Sequence, residues 1–578
     1  MSTVPAQELD FSKLPRYEPR RFLDESADLG QKEQVVSFYR SLLGRPVASR
    51  EELEAWIRDR SELEAALEEY STILYIRMTC QTDDEQRAGD YRWFIETIVP
   101  AVRPLTDQLN LKYLGLRNVL ALDARVYAIY DRNVKSDAEL FNEANIPLQT
   151  AEALLSQEYQ ALSGGLTVSF QGQELTLPQM SKYLFETDRV VREDAWKGIA
   201  RRRFTEKDKF DDLFDRMRRV RESIARNAGF TGFTDYQFRV YHRFDYTSRE
   251  CKEYHASAEE WIVPLWKAIL ERRNKELRLP ALRPWDLYVD PQGRPPLKPF
   301  SKTSELIDGA LTVLTRTDAE LGKQFSEIAR LGLLDLASRK GKAPGGYQST
   351  LTEARKPFIF MNAVGLDSDV RTLLHEAGHA FHALACAHQP IFPYRHAPME
   401  FCEVASMAME LLAEEHLDVF YDRRDLERSH RSHLEDIVQT LVWVATVDAF
   451  QHWIYEHPGH SAPERGAAWL AIRQRFGGNF VDWSGLEQFH ETAWHRQLHI
   501  FEAPFYYIEY AIAQLGALQL WLNAKRDRPA ALAAYRRALA LGGSRPLPEL
   551  FTEAGLRFDF SSATIRPLIT ALKGELGL

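Results

Sequence analysis

The sequence predicts a mainly helical protein with small β elements near its middle. Apolar and charged residues recur at helical spacing in three long stretches, 49–76, 188–226 and 301–336. The first stretch opens with a Ser-x-x-Glu pattern, which is typical of a capped helix start. One region breaks this pattern, because residues 166–177 (LTVSFQGQELTL) form two alternating segments around Gln171-Gly172. We expect a β-hairpin there.

Proline and glycine divide the helical stretches. Residues 280–299 contain six prolines and cannot continue a helix. Residues 338–346 (SRKGKAPGG) are basic and glycine-rich, which predicts a surface loop. Two apolar segments follow it, 347–352 and 357–362, and these could form strands. No internal repeat is present, and the length alone predicts about four domain-sized units, although large helical folds depart from that rule.

Charge and cysteine content narrow the class of protein. The 578 residues include 73 Lys and Arg against 83 Asp and Glu, which gives a net charge of −10. A phosphate-binding surface needs a basic excess, so we expect no nucleic-acid partner. Four cysteines without CxxC spacing predict a reducing compartment. With no run of about 18 apolar residues and no secretory signal, the sequence predicts a cytoplasmic protein without a membrane partner.

The strongest chemical signal is an HExxH motif at residues 375–379. His375 and His379 are four positions apart, so on a helix both imidazoles lie on one face and can reach one zinc ion. Glu376 follows the first histidine and would lie near the water that zinc activates, where it can act as general base. A surface helix that carries two histidines is the alternative. Against it, the same stretch has an apolar side formed by Val370, Leu373, Leu374, Ala377 and Phe381.

A catalytic zinc keeps three protein ligands and one open position, so a third ligand must come from elsewhere. Glu403 lies in an apolar helical stretch, where a carboxylate needs a compensating charge. Glu400 and Glu410 are rivals on spacing alone. Glu410 and His382 each lie seven residues, about 10.5 Å of helix, from a candidate ligand, which is too far for the same coordination sphere. We interpret both as residues that can orient ligands, with a solvated helix edge as the alternative.

These residues resemble a known family. HEAGHAFH at 375–382 and FCEVASMAMELL at 401–412 are similar to the metal site of the thimet-type metallopeptidases, and most similar to the oligoendopeptidase F branch. The similarity covers roughly residues 110–578 and implies that Glu403 is the third zinc ligand. It also implies a large two-lobed helical zincin with a deep substrate channel between the lobes. We therefore expect an N-terminal helical lobe at 1–200, which contains the hairpin, and a catalytic domain at 201–578.

The resemblance implies a substrate-binding segment just before the HExxH motif. GGYQSTL and KPFIFMN, within residues 345–362, are similar to the family's segment in which an edge strand pairs with the substrate backbone. The residues expected to bind substrate there are Gly345, Gly346, Tyr347 and Phe360.

A second implied segment lies near the C-terminus. HIFEAPFYYIEY at 499–510 resembles the family's His/Tyr segment, so His499, Tyr507 and Tyr510 are expected to be catalytic. Tyr506 is expected to bind substrate, although the alignment can slip by one residue and exchange it with Tyr507. On spacing alone, a core helix whose tyrosine hydroxyls meet backbone carbonyls is the alternative.

The resulting hypothesis is an endopeptidase with one Zn²⁺ per chain that cleaves internal bonds of short unfolded peptides. A second hypothesis is a helical zinc carboxypeptidase or aminopeptidase, in which Arg355 or Arg395 holds a substrate terminus. A third is a catalytically silent peptide-binding protein with a structural metal site. Cys386 and Cys402 lie near both ligand segments and keep this third hypothesis open, although small core residues are their more common role.

Overall fold

A computed structural model describes residues 10–339, 342–343 and 345–578, and it is mainly helical as predicted. Among these residues no helix is both long and apolar enough to cross a membrane. The α-helices are Lys32–Gly44, Arg50–Cys80, Glu85–Trp93, Val99–Arg117, Ala124–Leu140, Asn145–Gly164, Leu177–Ser181, Arg189–Phe204, Lys207–Asn227, Phe233–Val240, Ser248–Ser257, Val263–Leu277, Thr303–Thr317, Ala319–Arg330, Asp367–Ala385, Met399–Leu412, Arg423–Glu456, Ala462–Arg475, Glu487–Glu491, Leu498–Glu502, Ile508–Arg526, Arg528–Leu541, Leu547–Glu553 and Ser562–Glu575.

The chain divides into two compact units, each built from three segments. The first unit contains the residues up to Phe141, then Lys298–Leu426 and Gly516–Phe558. The second unit contains Asn142–Leu297, Glu427–Leu515 and Asp559–Leu578. One crossing between the units falls inside the proline-rich stretch 280–299. The domain division at residue 200 and the channel between lobes stay predictions.

The long helices follow the sequence pattern with breaks. Ser49 caps Arg50–Cys80 as predicted, since its hydroxyl accepts a hydrogen bond from the Glu52 amide. The predicted helix at 188–226 is two helices, Arg189–Phe204 and Lys207–Asn227. At the break, the Thr205 hydroxyl donates to the Arg202 carbonyl, and such side-chain bonds compete with the helical ladder. The 301–336 stretch likewise divides at Asp318, whose carboxylate caps the second helix. The prediction is wrong for the last residues of this stretch, because the second helix ends at Arg330 and Leu334–Ala337 is a strand.

The predicted hairpin is confirmed and lies in the second unit. Strands β1 (Thr167–Phe170) and β2 (Gln173–Thr176) pair in antiparallel register, with Phe170 opposite Gln173. Both turn residues have positive φ, 50° at Gln171 and 76° at Gly172. Two positive φ angles define the turn type whose twist matches that of the flanking strands.

The first unit holds a three-stranded sheet made of β3 (Leu334–Ala337), β4 (Tyr347–Leu351) and β5 (Lys356–Ala363). The order is β3-β5-β4, with β3 parallel and β4 antiparallel to the central strand. The strands expected at 347–352 and 357–362 are thus confirmed, and β4 lies at the sheet edge. The surface loop expected at 338–346 includes residues 340, 341 and 344, which lie outside the described residues.

A short turn joins the central strand to the helix Asp367–Ala385, here called the motif helix. The carboxylate of Asp369 accepts hydrogen bonds from three turn amides, those of Val364, Gly365 and Leu366, at 2.7–2.9 Å. These amides precede or begin the helix and would otherwise lack partners. The turn therefore fixes where the motif helix starts and how its residues face the sheet.

The motif helix packs closely on Met399–Leu412, here called the carboxylate helix. Gly378 lies at their contact, because a methyl group there would come within 2.6 Å of the Ala405 carbonyl oxygen and 2.6 Å of the Ser406 Cα. On the other side, the Tyr535 hydroxyl donates to the same Ala405 carbonyl at 2.8 Å. The absence of a side chain at residue 378 thus sets the spacing of the two helices.

We expect Gly378→Ala to lower the free energy of unfolding by about 1–3 kcal/mol, because the added methyl group would meet backbone atoms of the neighbouring helix. Urea denaturation of the metal-free protein measures this as a lower midpoint. Gly115→Ala is the control, since no atom lies within 4 Å of a methyl group there. That exposed helical site should gain about 0.5–1 kcal/mol. Equal midpoints for the two variants would contradict the close helix contact.

Candidate metal centre

His375, His379 and Glu403 form one compact group in the first unit. Their potential ligand atoms all lie within 4.8 Å of one another. The Nε2 atoms of His375 and His379 are 3.4 and 3.6 Å from Oε2 of Glu403. Ligands of a tetrahedral zinc at 2.0–2.1 Å are themselves separated by about 3.3 Å, so the donor set fits one such ion.

Protonation also suits metal binding at two of these residues. Burial alone would raise the pKa of Glu403, but the adjacent imidazoles of His379 and His375 lower it to about 2. Burial lowers the pKa of His379 to about 4. A carboxylate and a neutral imidazole are the forms that bind zinc. The histidine side chains remain 22% and 17% exposed, which leaves one side of the group open.

Glu410 orients the first histidine. Its Oε1 accepts a hydrogen bond from Nδ1 of His375 at 2.8 Å. With the proton held on Nδ1, the Nε2 lone pair of His375 points toward Glu403 and is free for a metal ion. This contact has the geometry expected of a residue that positions a ligand.

His382 and Glu400 occupy buried positions on the same two helices. His382 is 4% exposed, and its Nε2 has no hydrogen-bond partner among the described residues. Its ring lies edge-on to Phe401, and burial lowers the pKa of His382 to about 3. Glu400 lies one turn before Glu403, is equally buried, and is not part of the three-residue group.

Glu376 lies beside the group with a carboxylate oxygen available. Its side chain is buried, and Oε2 has no hydrogen-bond partner in the described part of the chain. Burial raises the pKa of Glu376 to about 7; His375 opposes this shift, while repulsion from Glu403 and Glu410 adds to it. A carboxyl group with a pKa near neutrality can both accept and return a proton.

The edge strand β4 passes close to Glu376. A methyl group at Gly346 would lie 3.5 Å from Oε1 of Glu376, and both Gly345 and Gly346 are exposed. Tyr347 stacks on its cross-strand neighbour Phe360, with ring centroids 4.6 Å apart. Phe360 is fully buried, so any effect on substrate would act through Tyr347. Exposed glycines at a sheet edge leave room for a second chain.

His499 and its three tyrosines form a cluster of their own in the second unit. The rings of Tyr506, Tyr507 and Tyr510 surround His499 with centroids 4.9–5.8 Å away. The Tyr510 hydroxyl is 3.5 Å from Nε2 of His499. Tyr507 directly precedes the helix Ile508–Arg526, and its ring lies edge-on to that of Tyr510 with centroids 5.3 Å apart.

Two further side chains determine the tautomer of His499, that is, which ring nitrogen carries the proton. The indole Nε1 of Trp443 donates to Oε1 of Gln497 at 2.9 Å, and Nε2 of Gln497 is 2.9 Å from Nδ1 of His499. Because indole can only donate, the amide nitrogen of Gln497 must face the imidazole. Nδ1 of His499 therefore accepts a hydrogen bond, and the ring proton lies on Nε2, on the side of Tyr510.

Comparison with known families decides the assignment. The sequence model of peptidase family M3 matches residues 183–568, which is more than half of the chain. The model of the peptidase M3 N-terminal domain matches residues 29–141. The chain belongs to peptidase family M3. The family is one of peptidases, which agrees with the enzyme class expected from the HExxH segment.

Individual relatives agree with the family. An oligoendopeptidase F homolog of Borreliella burgdorferi (strain B31) is 26% identical over 305 residues, which are 50% of this chain and 49% of that protein. The oligopeptidase PepF of Bacillus subtilis (strain 168) is 31% identical over 160 residues, 27% of this chain and 23% of that protein. The chain thus spans about half, or less, of the length of these curated relatives.

The fold agrees over a much larger share. A solved structure of PZ peptidase A with an inhibitor is 27% identical, has a TM-score of 0.89, and aligns with 96% of this chain and 99% of its own. The predicted helical fold class and the resemblance to oligoendopeptidase F are therefore confirmed.

Several residues that shape these sites had no distinctive sequence signal. Gln497 and Trp443 are 54 positions apart, and nothing in the sequence indicates that they meet at His499. Asp369 and Gly378 lie inside or next to the motif, but their roles depend on a turn and a neighbouring helix. Only Gly378 had a hint, because glycine is unfavourable inside a helix unless close packing requires it.

A second group of potential ligands lies in the second unit. Cys251, Asp448 and His452 have ligand atoms within 4.8 Å of one another. All three are at most 2% exposed, and His255 donates from Nε2 to Asp448 at 2.8 Å. A catalytic metal needs a position open to substrate, which a fully enclosed group does not offer. The partly exposed group of His375, His379 and Glu403 in the first unit is therefore the candidate catalytic centre.

We expect Glu410→Ala to weaken zinc binding by about 10–100-fold, because His375 loses the acceptor that holds its ring. Competition with a chromophoric chelator measures the affinity. Glu415→Ala is the control, since that carboxylate is 55% exposed and pairs with Arg528. If both variants kept the parent affinity, Glu410 would have no positioning role.

Proposed function

We propose that this chain is a zinc-dependent endopeptidase that binds one Zn²⁺ and hydrolyses internal bonds of short unfolded peptides. The observation that carries the proposal is the group His375, His379 and Glu403, with an unpartnered carboxylate oxygen of Glu376 beside it. Family membership supports a peptidase of the metal-dependent class. A cytoplasmic location stays a prediction from the sequence.

In the proposed mechanism, His375, His379 and Glu403 hold the ion. When bound, Zn²⁺ supplies Lewis acidity that lowers the pKa of water and polarises a peptide carbonyl. Glu376 accepts the proton of the attacking water through its free oxygen and then donates that proton to the leaving amine. Glu410 keeps Nε2 of His375 directed at the ion throughout.

Substrate is proposed to bind along the outer edge of β4. An extended peptide can pair with an exposed strand through main-chain hydrogen bonds. Such pairing does not depend on the identity of most side chains of the peptide. Gly345 and Gly346 keep the approach to Glu376 free of side chains, and Tyr347 offers a ring surface beside them. This mode requires an extended backbone, so it favours unfolded peptides over folded proteins.

The second-unit cluster keeps the role given by the family resemblance. His499, Tyr507 and Tyr510 are proposed to stabilise negative charge on the carbonyl oxygen, and Tyr506 to bind substrate. The proton on Nε2 supports this role for His499, because an oxyanion requires a donor.

The exopeptidase alternative needs a cation that holds a substrate terminus, and both candidate arginines form hydrogen bonds within the protein. Arg355 donates from Nη1 to the Ala387 carbonyl at 2.7 Å and pairs with Glu18. Arg395 donates from Nε to the Gln389 carbonyl at 3.0 Å. The silent-protein alternative is weakened too, since the thiols of Cys386 and Cys402 donate to backbone carbonyls outside the ligand group.

We expect Glu376→Gln to reduce turnover by about 10²–10⁴-fold with zinc still bound, because only the proton acceptor is lost. Glu403→Ala is the matched comparison and should lose zinc as well as activity, since it removes a ligand. Metal analysis and cleavage of a quenched peptide give both readouts. Near-parental turnover in Glu376→Gln would disprove the assigned base.

We expect mass spectra of products from unlabelled peptides to show internal cleavage into two fragments. Blocking both substrate termini by acetylation and amidation should leave the rate nearly unchanged, because no terminal charge is recognised. Stepwise loss of single residues would instead support the exopeptidase alternative. A folded protein and its unfolded, alkylated form provide the test of substrate state, and cleavage of both at equal rates would contradict strand pairing.

A further inference from the structure

A cavity in the second unit combines aromatic walls with uncompensated positive charge. Its volume is about 160 Å³. Four tryptophans, a tyrosine and a phenylalanine line it: Trp196, Trp266, Trp443, Trp483, Tyr288 and Phe489. Trp196 lies edge-on to Trp483 and Phe489, with centroids 5.8 and 6.2 Å away. These rings hold one another in place and so form a rigid wall.

Three arginines also line the cavity, Arg203, Arg473 and Arg496, and no aspartate or glutamate does. Within the described residues, none of the three side chains has a hydrogen bond or an ion pair. Arg473 and Arg496 lie 5.2 and 4.9 Å from the ring centre of Trp443. This grouping stands in a protein whose overall charge is −10.

Uncompensated guanidinium groups at one site are costly. Partly buried charges lose hydration, and like charges add repulsion, so proteins usually pair them with carboxylates. Cation–π contacts recover about 0.5–2 kcal/mol each, less than a buried ion pair with hydrogen bonds. Burial and repulsion from Arg496 lower the pKa of Arg473 to about 10, which reflects this strain on the charged form.

Three residues that line the cavity also contain buried donor atoms without partners. Nη1 of Arg203, Nε1 of Trp483 and Nε2 of His490 are buried and have no hydrogen bond among the described residues. His490 stacks on Trp483 with centroids 4.1 Å apart, which fixes both rings at the cavity wall. The guanidinium groups that line the cavity can only donate hydrogen bonds, so the complementary ligand must accept them.

We propose that this cavity binds a small aromatic carboxylate. The carboxylate would accept hydrogen bonds from the arginine forks, whose planar geometry matches it in a bidentate manner. The aromatic ring would lie among the tryptophans, and the volume suffices for about one such ring. Arg496 is exposed, so the cavity can be reached from solvent. A ligand with only an aromatic ring would leave the arginines without an opposite charge. A ligand with only an anionic group would leave the aromatic walls without a contact.

Isothermal titration with benzoate and phenylacetate tests the proposal. We expect a dissociation constant below about 1 mM for at least one of them, with quenching of tryptophan fluorescence. Benzyl alcohol retains the ring without the charge, and acetate retains the charge without the ring. Both should bind at least about 10-fold more weakly, since each loses one of the two contacts. Equal binding of either control probe, or no binding of both aromatic acids, would overturn the proposal.

Variants locate the site. Arg473→Gln and Arg496→Gln should each weaken binding about 10-fold or more, because each removes a charge-assisted hydrogen bond. Arg475→Gln is the matched control on the same helix, since Arg475 pairs with Glu259 and does not line the cavity. Thermal unfolding checks that each variant is folded, and the exposed Arg496 provides the test if Arg473 proves essential for folding.

The same titrations after zinc removal separate this site from the metal centre. A carboxylate can bind directly to zinc, so binding that disappears with the metal, or that is unchanged by both arginine variants, would overturn the cavity assignment. Binding that persists without zinc and falls in the arginine variants supports it. This outcome does not depend on whether the chain is an active peptidase.

Discussion

The contact between the motif helix and the carboxylate helix governs the first unit. Two of the candidate zinc ligands are on one helix and the third is on the other, so the ligand separation is set by how closely the helices approach. At Gly378 no side chain separates the backbones of the two helices. On the opposite side, the Tyr535 hydroxyl donates a hydrogen bond to the Ala405 carbonyl. A change of a few tenths of an ångström there would move Glu403 relative to both histidines.

Preorganisation of the donors follows from that contact. Asp369 fixes the start of the motif helix, and Glu410 fixes the ring of His375. A carboxylate placed between two imidazoles in a buried site loses favourable hydration energy. The binding of a divalent cation can offset this loss. The fold thus holds its donors at coordination distance, with the two histidine Nε2 atoms 3.4 and 3.6 Å from Oε2 of Glu403.

Local patterns in the sequence predicted the motif helix, the carboxylate helix and the hairpin. They did not predict contacts between residues that are far apart in the chain. The helical spacing of HExxH, the apolar face around Glu403 and the Gln171-Gly172 turn depend on neighbours within a few residues, so the sequence contains the full signal. The parallel pairing of β3 with β5 and the Trp443–Gln497–His499 chain depend on residues brought together by folding. The three arginines of the cavity are likewise separated by up to 293 positions (203 to 496). Spacing rules carry no information about such contacts.

The discontinuous first unit has a consequence for synthesis on the ribosome. Both ligand helices have been synthesised once residue 412 is added, yet Tyr535 and Phe551, which packs on Phe401, are added much later in translation. Until then the carboxylate helix lacks the contacts of Phe401 with Phe551 and of Ala405 with Tyr535, and a nascent chain carries the motif without this support. The support of the candidate ligand group is therefore complete only after residue 551 has been synthesised and has packed against the carboxylate helix.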